Sequence, residues 1–234
     1  MTRTKLTAEQ LCRKSVEEFK QAKKFPIIVV LDNIRSMNNV GSIFRTCDAF
    51  LVERILLCGI TPQPPHRDIQ KTALGATESV EWKYEKNTVD AVEQLKKEGY
   101  TVFSVEQTQN SLALNDLKLN PDEKIALIMG NEVDGVAQDV IDISDKSIEI
   151  PQFGTKHSLN VCNSCAIVLW QIKDKGVKIP SDMLGITLLE YETTANEDGT
   201  KVPNDDFENH LSELKKNIDE KVALGYLGLF PSTV

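Results

Sequence analysis

Short apolar segments alternate with amphipathic ones along most of the chain. Five segments are short, apolar and bounded by turn-forming residues, a pattern that predicts β-strands. They are residues 27–31, 54–58, 100–105, 125–129 and 147–150. Helical spacing of apolar residues predicts helices at residues 41–50, 89–98 and 158–173, and a weaker one at 5–24. Because strands that are apolar throughout are typical of a parallel sheet covered on both faces, the pattern predicts an α/β fold with a parallel sheet flanked by helices.

Changes in composition divide the chain into three regions. Residues 1–25 are predicted as an N-terminal helical extension, residues 26–178 as the main domain, and residues 179–234 as an acidic C-terminal extension. Within that extension, residues 190–208 are polar and turn-rich, which predicts a mobile loop. Apolar residues at helical spacing then predict a helix at residues 210–223.

The overall composition is that of a folded globular protein. The chain has 234 residues, of which 41% are hydrophobic and 26% charged. No apolar run approaches the roughly 18 to 20 residues that a membrane span needs, and residues 1–10 lack the apolar core of a signal peptide. Five cysteines are an odd number in a chain long enough to build a core without disulfides. This cysteine usage favours reduced thiols and a cytoplasmic protein.

The distribution of charge changes what the net charge implies about partners. A net charge of −8 at first argues against a nucleic-acid partner. However, residues 181–234 carry 11 acidic and 4 basic side chains, whereas residues 1–180 carry 24 acidic and 23 basic ones. The main domain is therefore nearly neutral, so its composition is compatible with a local basic surface.

Three polar segments follow buried strands, which is where open α/β sheets bind ligands. In the first, at residues 32–46, Asn39 and Ser42 are candidate helix caps, and Gly41 permits close approach of a backbone or a ligand. Arg45 lies one turn beyond Gly41, near a helix start that favours anions. Taken alone, a capped helix with a surface arginine explains this segment at least as well.

The second and third segments have the same position relative to a strand. Residues 130–135 read Gly-Asn-Glu-x-x-Gly, which also suits a plain strand-to-helix turn capped by Glu132. Residues 150–161 run into a helix for which Ser158 is a good N-cap; Asn160 is then a poor helix former in the first turn, which favours contact with a ligand. The chain has neither the dinucleotide glycine fingerprint nor a P-loop, so nucleoside triphosphate binding has no support.

Together the three segments resemble the SpoU (TrmH-like) family of SPOUT methyltransferases, over about residues 26–172. Its first motif resembles Asn39-x-Gly41-x-x-x-Arg45, its second Gly130-Asn131-Glu132-x-x-Gly135, and its third Ile150-Pro151 with Ser158-Leu159-Asn160-Val161. The segment from Lys71 to Ala76 resembles the Lys-x-x-x-Gly-Ala sequence between the motifs. Each motif alone is weak evidence, but three in order, each after a predicted strand, are strong evidence.

The resemblance implies a fold, a reaction and a set of site residues. The fold is an α/β sheet whose C-terminal segment is threaded into a deep trefoil knot. The reaction is methyl transfer from S-adenosylmethionine to a ribose 2′-hydroxyl of structured RNA, by a homodimer and without a metal. The implied catalytic positions are Asn39, Arg45, Glu132, Ser158 and Asn160. The implied cofactor-binding positions are Gly130, Ile150 and Leu159.

Several alternatives remain open at this level. Transfer RNA is the favoured substrate, because residues 1–25 are too short for a separate RNA-binding domain; ribosomal RNA is the alternative. A catalytically idle RNA-binding or assembly protein is a second class of function, and a small-molecule Rossmann enzyme is a third that lacks its glycine fingerprint. The resemblance implies that Arg45 helps remove the 2′-proton. Since a guanidinium keeps its proton below a pH of ~12, we favour Arg45 as a phosphate clamp and leave the base open.

This chain departs from the family pattern at a few positions. Leu51 stands where a glycine usually follows the first helix, and Cys162, Asn163 and Cys165 replace the usual small residues. Cys162 and Cys165 have a Cys-x-x-Cys spacing, but a zinc site would need a second pair of ligands, which His157 alone does not supply. Two thiols of the core are the favoured interpretation.

Overall fold

The protein is described by a computed structural model that covers residues 5–7, 11, 13–120, 123–174, 193–195 and 201–203. Its parallel strands are β1 (Phe25–Asp32), β2 (Val52–Cys58), β3 (Glu81–Glu85), β4 (Thr101–Val105), β5 (Leu112–Ala113), β6 (Ile125–Met129) and β7 (Lys146–Glu149). They form one sheet in the order β3-β2-β1-β6-β4-β7-β5, and every pairing is parallel. The predicted parallel α/β sheet is confirmed.

Seven α-helices precede, connect or follow these strands within the described residues. They are α1 (Val16–Gln21), α2 (Met37–Ala49), α3 (Arg67–Ala73), α4 (Ala76–Ser79), α5 (Thr88–Lys97), α6 (Gln138–Ile143) and α7 (Val161–Asp174). The residues Leu114–Asp116 add a 3₁₀ turn, and β8 (Thr193–Ala195) pairs antiparallel with β9 (Lys201–Pro203). No helix in the described parts of the chain is long and apolar enough to cross a membrane.

The helices cover both faces of the sheet. Ile28 and Val30 of β1 pack in one cluster with Val92 of α5 and Val140 of α6. Because side chains alternate along a strand, the neighbouring residues of β1 face the other side, where α2 packs against both α3 and α7. Every residue of β1 except Pro26 is buried, as expected for a central strand. This sandwich holds the carboxyl ends of β4, β6 and β7 side by side.

All five predicted strands are present, within two residues at each end. The sequence pattern missed β3, because an edge strand made of Glu-Trp-Lys-Tyr-Glu has no apolar block to reveal it. It also missed α3, α4, α6 and the two-residue strand β5, which are too short for their periodicity to stand out.

Three predicted helix starts are wrong, and capping explains two of them. The described helix within 5–24 is only Val16–Gln21, closed at its start by a capping box between Ser15 and Glu18. Helix α2 begins at Met37, because Ser36 accepts the Asn39 backbone N–H at 3.3 Å. Asn39 and Ser42 therefore lie inside the helix and do not cap it. Helix α7 begins at Val161, three residues after the predicted cap.

Asp32 at the end of β1 ties neighbouring elements together. Its carboxylate is 1% exposed, and it accepts hydrogen bonds from the Thr88 hydroxyl at 2.6 Å and the Ala137 backbone N–H at 2.9 Å. The first donor begins α5 and the second precedes α6. Since a buried carboxylate is tolerated only with such partners, Asp32 fixes the start of both helices against the central strand.

Contacts divide the chain into two compact units, residues 15–179 and residues 1–14 with 180–234. In the second unit, the described part of the predicted mobile loop 190–208 is the hairpin of β8 and β9, two short strands that the sequence pattern did not predict. Its β-branched residues, Thr193, Thr194 and Val202, favour strands. The predicted helix at 210–223 lies outside the described residues, and the division at 25 and 178 stays a prediction.

Candidate functional site

A cavity of about 470 Å³ lies at the carboxyl ends of β4, β6 and β7. These strands are neighbours in the sheet, so the loops that follow them converge. The wall is made by residues 105–107, 129–135, 148–150, 152, 157–161 and 164. The second and third polar segments of the sequence both contribute to this wall, so the fold brings them together. The volume is in the range of small-molecule sites.

The three predicted cofactor-binding positions, Gly130, Ile150 and Leu159, all line this cavity. A Cβ atom at Gly130 would lie 2.3 Å from the carbonyl carbon of Gly135 and 2.3 Å from the backbone nitrogen of Val136. The tight turn that follows β6 therefore requires glycine. Reciprocal backbone hydrogen bonds between Asn131 and Gly135, at 2.9 and 3.0 Å, close this turn.

Glu106 is a cavity residue that sequence reasoning missed. It follows β4 directly, and its carboxylate accepts the backbone N–H of Gln107 at 2.8 Å and that of Val136 at 3.0 Å. The second bond ties the loop after β4 to the loop after β6. A signal was present, because Glu106 is a polar residue at the end of a buried strand, the same rule that singled out the other three segments.

Glu132 holds the loop after β6 against the start of α2. Its carboxylate accepts the backbone N–H of Arg35 at 2.9 Å, that of Ser36 at 3.0 Å and the Asn39 side-chain amide at 2.8 Å. Partial burial on its own would raise the pKa of Glu132, but these three donors outweigh it and the pKa lies below its ordinary value. Glu132 is therefore an ionised acceptor at neutral pH, and its observed contacts are with protein groups.

A hydrogen bond between two asparagine side chains extends this network to α7. The Asn160 amide nitrogen donates to the Asn39 side-chain oxygen at 3.2 Å. The Asn160 oxygen accepts the backbone N–H of Cys162 at 3.0 Å and its thiol at 2.7 Å. Asn160 thus stands before the first turn of α7 and caps it. The prediction that Asn160 lies inside this turn is wrong, and its place there is no argument for contact with a ligand. Three of the five predicted catalytic residues, Asn39, Glu132 and Asn160, are nevertheless joined by direct contacts.

Ser158 lies on the cavity wall two residues before Asn160, and its side chain is exposed. It is not the cap of α7. The loop that carries it is held by the Gln107 side chain, which donates to the backbone carbonyl of His157 at 2.9 Å. The position of this part of the cavity wall is therefore fixed by the loop after β4.

Arg45 lies outside the cavity, in a second and more open pocket of about 410 Å³. Its described walls are Ser42, Arg45, Thr46, Lys71, Thr72, Cys162, Asn163 and Ala166. Arg45 therefore lines a different pocket from the network of Glu132, Asn39 and Asn160, although Arg45 and Asn39 both lie on α2. The two pockets flank the first turn of α7, with Asn160 and Ser164 on the cavity side and Cys162 and Asn163 on the Arg45 side.

The thiols are consistent with a packing role. Cys47 of α2 and Cys165 of α7 are both buried. The pKa of the Cys47 thiol is raised, mainly by burial and also by its hydrogen bond with Cys165. Cys165 is confirmed as a core thiol, whereas Cys162 is half-buried at the second pocket. Among the residues that the structure describes, no group of three or more His, Cys, Asp or Glu side chains is arranged to hold a metal ion.

Known proteins resemble the part of the chain that carries this site. Residues 26–170 match the model of the SpoU rRNA Methylase family. An uncharacterized tRNA/rRNA methyltransferase of Borreliella burgdorferi is 32% identical over 158 residues, which cover 68% of this chain and 68% of that protein. A tRNA (guanosine(18)-2′-O)-methyltransferase of Aquifex aeolicus is 29% identical over 164 residues, which cover 68% of this chain and 74% of that protein.

A solved structure shows the same fold. The AdoMet-bound rRNA methyltransferase of Sinorhizobium meliloti superposes with a TM-score of 0.60 at 25% identity, over 69% of this chain and 61% of that chain. One further similarity covers only a short segment. CD-NTase-associated protein 12 of a Lachnospiraceae bacterium is 57% identical over 63 residues, which are 27% of this chain and only 20% of that protein. The family resemblance read from the three motifs is confirmed.

Proposed function

The chain belongs to the SpoU rRNA methylase family, and on that premise we propose that it transfers a methyl group from S-adenosylmethionine to a ribose 2′-hydroxyl of structured RNA. The observation that carries this proposal is a pair of pockets of opposite charge on the two sides of the first turn of α7. Four carboxylates, Glu106, Glu132, Asp134 and Glu149, line the cavity, whereas Arg45 and Lys71 line the second pocket.

The cavity fits S-adenosylmethionine in size and in chemistry. Its carboxylates suit a ligand with a sulfonium and an ammonium group, and the side chains of Ile148, Ile150 and Leu159 suit an adenine ring. None of its described wall residues is a lysine or an arginine. Backbone around Gly130, Ile150 and Leu159 would hold the cofactor. When bound, the cofactor supplies an electrophilic methyl group, so the reaction needs no metal.

The remaining work is positioning, since a ribose hydroxyl is a weak nucleophile that must be aligned with the methyl carbon and the sulfur. Ser158 and Asn160 line the cavity and would orient the ribose by hydrogen bonds, with Asn39 fixing the amide of Asn160. Glu132 sets the geometry of Asn39 and the loop after β6. Arg45 would stabilise the forming alkoxide or clamp a neighbouring phosphate, because a guanidinium is a cation that makes a poor base. The base that takes the 2′-proton is unassigned.

Two further family properties belong to this proposal. Residues 26–178 would form a knotted methyltransferase domain, in which the segment after β7 is threaded through the loop before it. The close packing of α7 on α2, beside the loop after β6, supports this path. The working form would be a homodimer in the cytoplasm, where the four described free thiols would stay reduced.

Transfer RNA is the first choice of substrate, and ribosomal RNA is the alternative. The Aquifex relative acts on transfer RNA by its name. Its similarity to this chain covers 74% of that protein, whereas the similarity to the Sinorhizobium rRNA methyltransferase covers 61% of that chain. The domain also has the nearly neutral charge described above, so a local cationic pocket would make the contact with phosphates.

Two measurements test the proposal. Calorimetry with S-adenosylhomocysteine should show one cofactor site per chain, whereas a catalytically idle RNA-binding protein would show none. Mapping of 2′-O-methyl groups in total RNA from a deletion strain should then reveal a missing mark in transfer RNA. A lost mark in ribosomal RNA, with every transfer-RNA mark intact, would overturn the choice of substrate. No missing mark, together with no cofactor binding, would overturn the function.

A further inference from the structure

The second pocket, which we call the cationic pocket, contains a basic residue that the catalytic motifs do not account for. Lys71 of α3 lines it together with Arg45 of α2. No acidic side chain is among its described walls, which otherwise consist of hydroxyl, amide, thiol and methyl groups. Two cations without a carboxylate form a site for an anion.

Close packing of α3 on α2 places Lys71 beside Arg45. A Cβ atom at Gly41 of α2 would lie 2.3 Å from the backbone oxygen of Ile69 and 2.1 Å from the Thr72 hydroxyl oxygen. The Thr72 hydroxyl donates to the backbone carbonyl of Asn38 at 3.0 Å, which fixes α3 in this position. Gly41 therefore allows the backbone of α3 to approach α2 closely. The sequence alone left open whether a backbone or a ligand approaches this glycine.

Neither cation of the pocket is neutralised within the described part of the chain. Ion pairs occupy other basic residues there; Arg54 pairs with Glu98 at 2.7 Å and Lys96 with Asp145 at 2.9 Å. Arg45 and Lys71 are both exposed and take part in none of the ion pairs that the described residues form. Their charge is therefore available to a ligand.

We infer that Lys71 binds a phosphate of the substrate RNA, together with Arg45, next to the nucleotide that is methylated. This inference rests on the proposed function, and it adds a substrate-binding residue that lies outside the three motifs. The reacting ribose must reach the cavity beside Asn160, and the flanking phosphodiester then falls on the far side of the first turn of α7, in the cationic pocket. A lysine suits this task because it binds phosphate as a point charge without demanding one orientation.

The test compares full-length variants in binding to a fluorescently labelled, unmodified transfer-RNA transcript. Anisotropy titrations between about 50 and 200 mM salt give the affinity and its salt dependence. Lys71→Ala should bind about fivefold more weakly, and the slope of log affinity against log salt should fall in magnitude by about one. Lys71→Arg should keep both values near wild type, since it retains the charge.

Lys97→Ala is the matched control. Lys97 is an exposed lysine in the last turn of α5, on the opposite face of the sheet. This variant should behave like the wild type. In turnover assays, Lys71→Ala should raise the KM for RNA and leave kcat within about twofold, whereas loss of a group that acts on the transition state lowers kcat.

Equal affinity and equal salt slope for Lys71→Ala and Lys97→Ala would overturn the inference, even if the enzyme is active. Calorimetry with S-adenosylhomocysteine separates this failure from a failure of the proposed function, because Lys71 is not a wall residue of the cavity and its replacement should leave cofactor affinity unchanged. Wild-type protein that binds S-adenosylhomocysteine but not the transcript would also overturn the inference for transfer RNA. Inorganic phosphate that competes as well as the transcript would show a site for free phosphate instead.

Discussion

The Asn39 side chain donates a hydrogen bond to the carboxylate of Glu132 at 2.8 Å, across 93 positions of sequence. Because an ionised carboxylate only accepts, this contact forces the amide nitrogen of Asn39 towards Glu132 and its oxygen towards Asn160. Asn160 must in turn present its nitrogen to Asn39 and its oxygen to the first turn of α7. One charge thus sets the orientation of two amides, one of which borders the cavity.

Replacement of Glu132 by glutamine should disturb this order. A glutamine has one oxygen to accept with, and its NH₂ group would face an N–H donor of Arg35, Ser36 or Asn39. We expect a loss of about 1–2 kcal/mol in the free energy of unfolding, a Tm lower by about 3–6 °C, and turnover lower by at least tenfold. Glu93→Gln, an exposed position on α5, is the control for thermal melts and should change neither value.

The same carboxylate predicts a pH dependence of stability. The pKa of Glu132 is lowered in the folded protein. Its contribution is therefore full above the ordinary carboxylate pKa of about 4.3 and is lost as the pH falls through the lowered value. The difference in Tm between wild type and Glu132→Gln should be constant from about pH 6 to 8. It should narrow below about pH 4. A difference that grows as the pH falls would contradict this assignment.

Asn160→Asp should separate stability from activity. An aspartate can still accept the backbone N–H of Cys162, and its charge suits the N-terminus of α7, so the Tm should be kept or raised slightly. However, it has no amide to donate, and it would place an oxygen against the Asn39 oxygen. We expect turnover to fall by about tenfold or more.

Asn87→Asp provides the matched control for that substitution. Asn87 caps α5 by accepting the Asp90 backbone N–H at 3.1 Å, and it does not line either pocket. Both turnover and Tm should be close to wild type. If Asn160→Asp keeps full turnover, the Asn39–Asn160 bond has no part in positioning the ribose.

The sequence predicted what depends on local pattern, and it missed the order of the strands and the contacts between distant segments. Apolar blocks such as 27–31 and 125–129 were sufficient to locate the central strands. The rule that ligands bind where polar residues follow buried strands singled out two of the segments that line the cavity. In contrast, the cap of α2 had several candidates within four residues, and only the fold selects Ser36 over Asn39. The pairing of Arg45 with Lys71 in one pocket depends on how α3 returns to α2, which no periodicity shows.

Arg45→Ala should abolish methyl transfer while leaving the cofactor site intact. Arg45 is not a wall residue of the cavity, so the affinity for S-adenosylhomocysteine should stay within about twofold of wild type by calorimetry. Loss of the charge that stabilises the forming alkoxide should lower kcat by about 100-fold or more. Arg45→Lys should recover part of that loss. Substantial turnover by Arg45→Ala on the native RNA would exclude both roles proposed for this side chain.

The glycine of the second motif provides a test of the cavity itself. In Gly130→Ala, the new Cβ would lie 2.3 Å from two backbone atoms, of Gly135 and Val136, which cannot rotate away as a side chain would. The loop after β6 must shift, and such overpacking costs about 1–3 kcal/mol.

We therefore expect the affinity of Gly130→Ala for S-adenosylhomocysteine to fall by at least tenfold and its Tm to fall by several degrees, about 2–4 °C per kcal/mol. Gly154→Ala is the control, because a Cβ there has nothing described within 4 Å and the residue belongs to the same region of loops. It should keep both values. Normal cofactor affinity in Gly130→Ala, measured by calorimetry on a folded sample, would mean that the cofactor does not depend on the turn after β6 and binds outside this cavity.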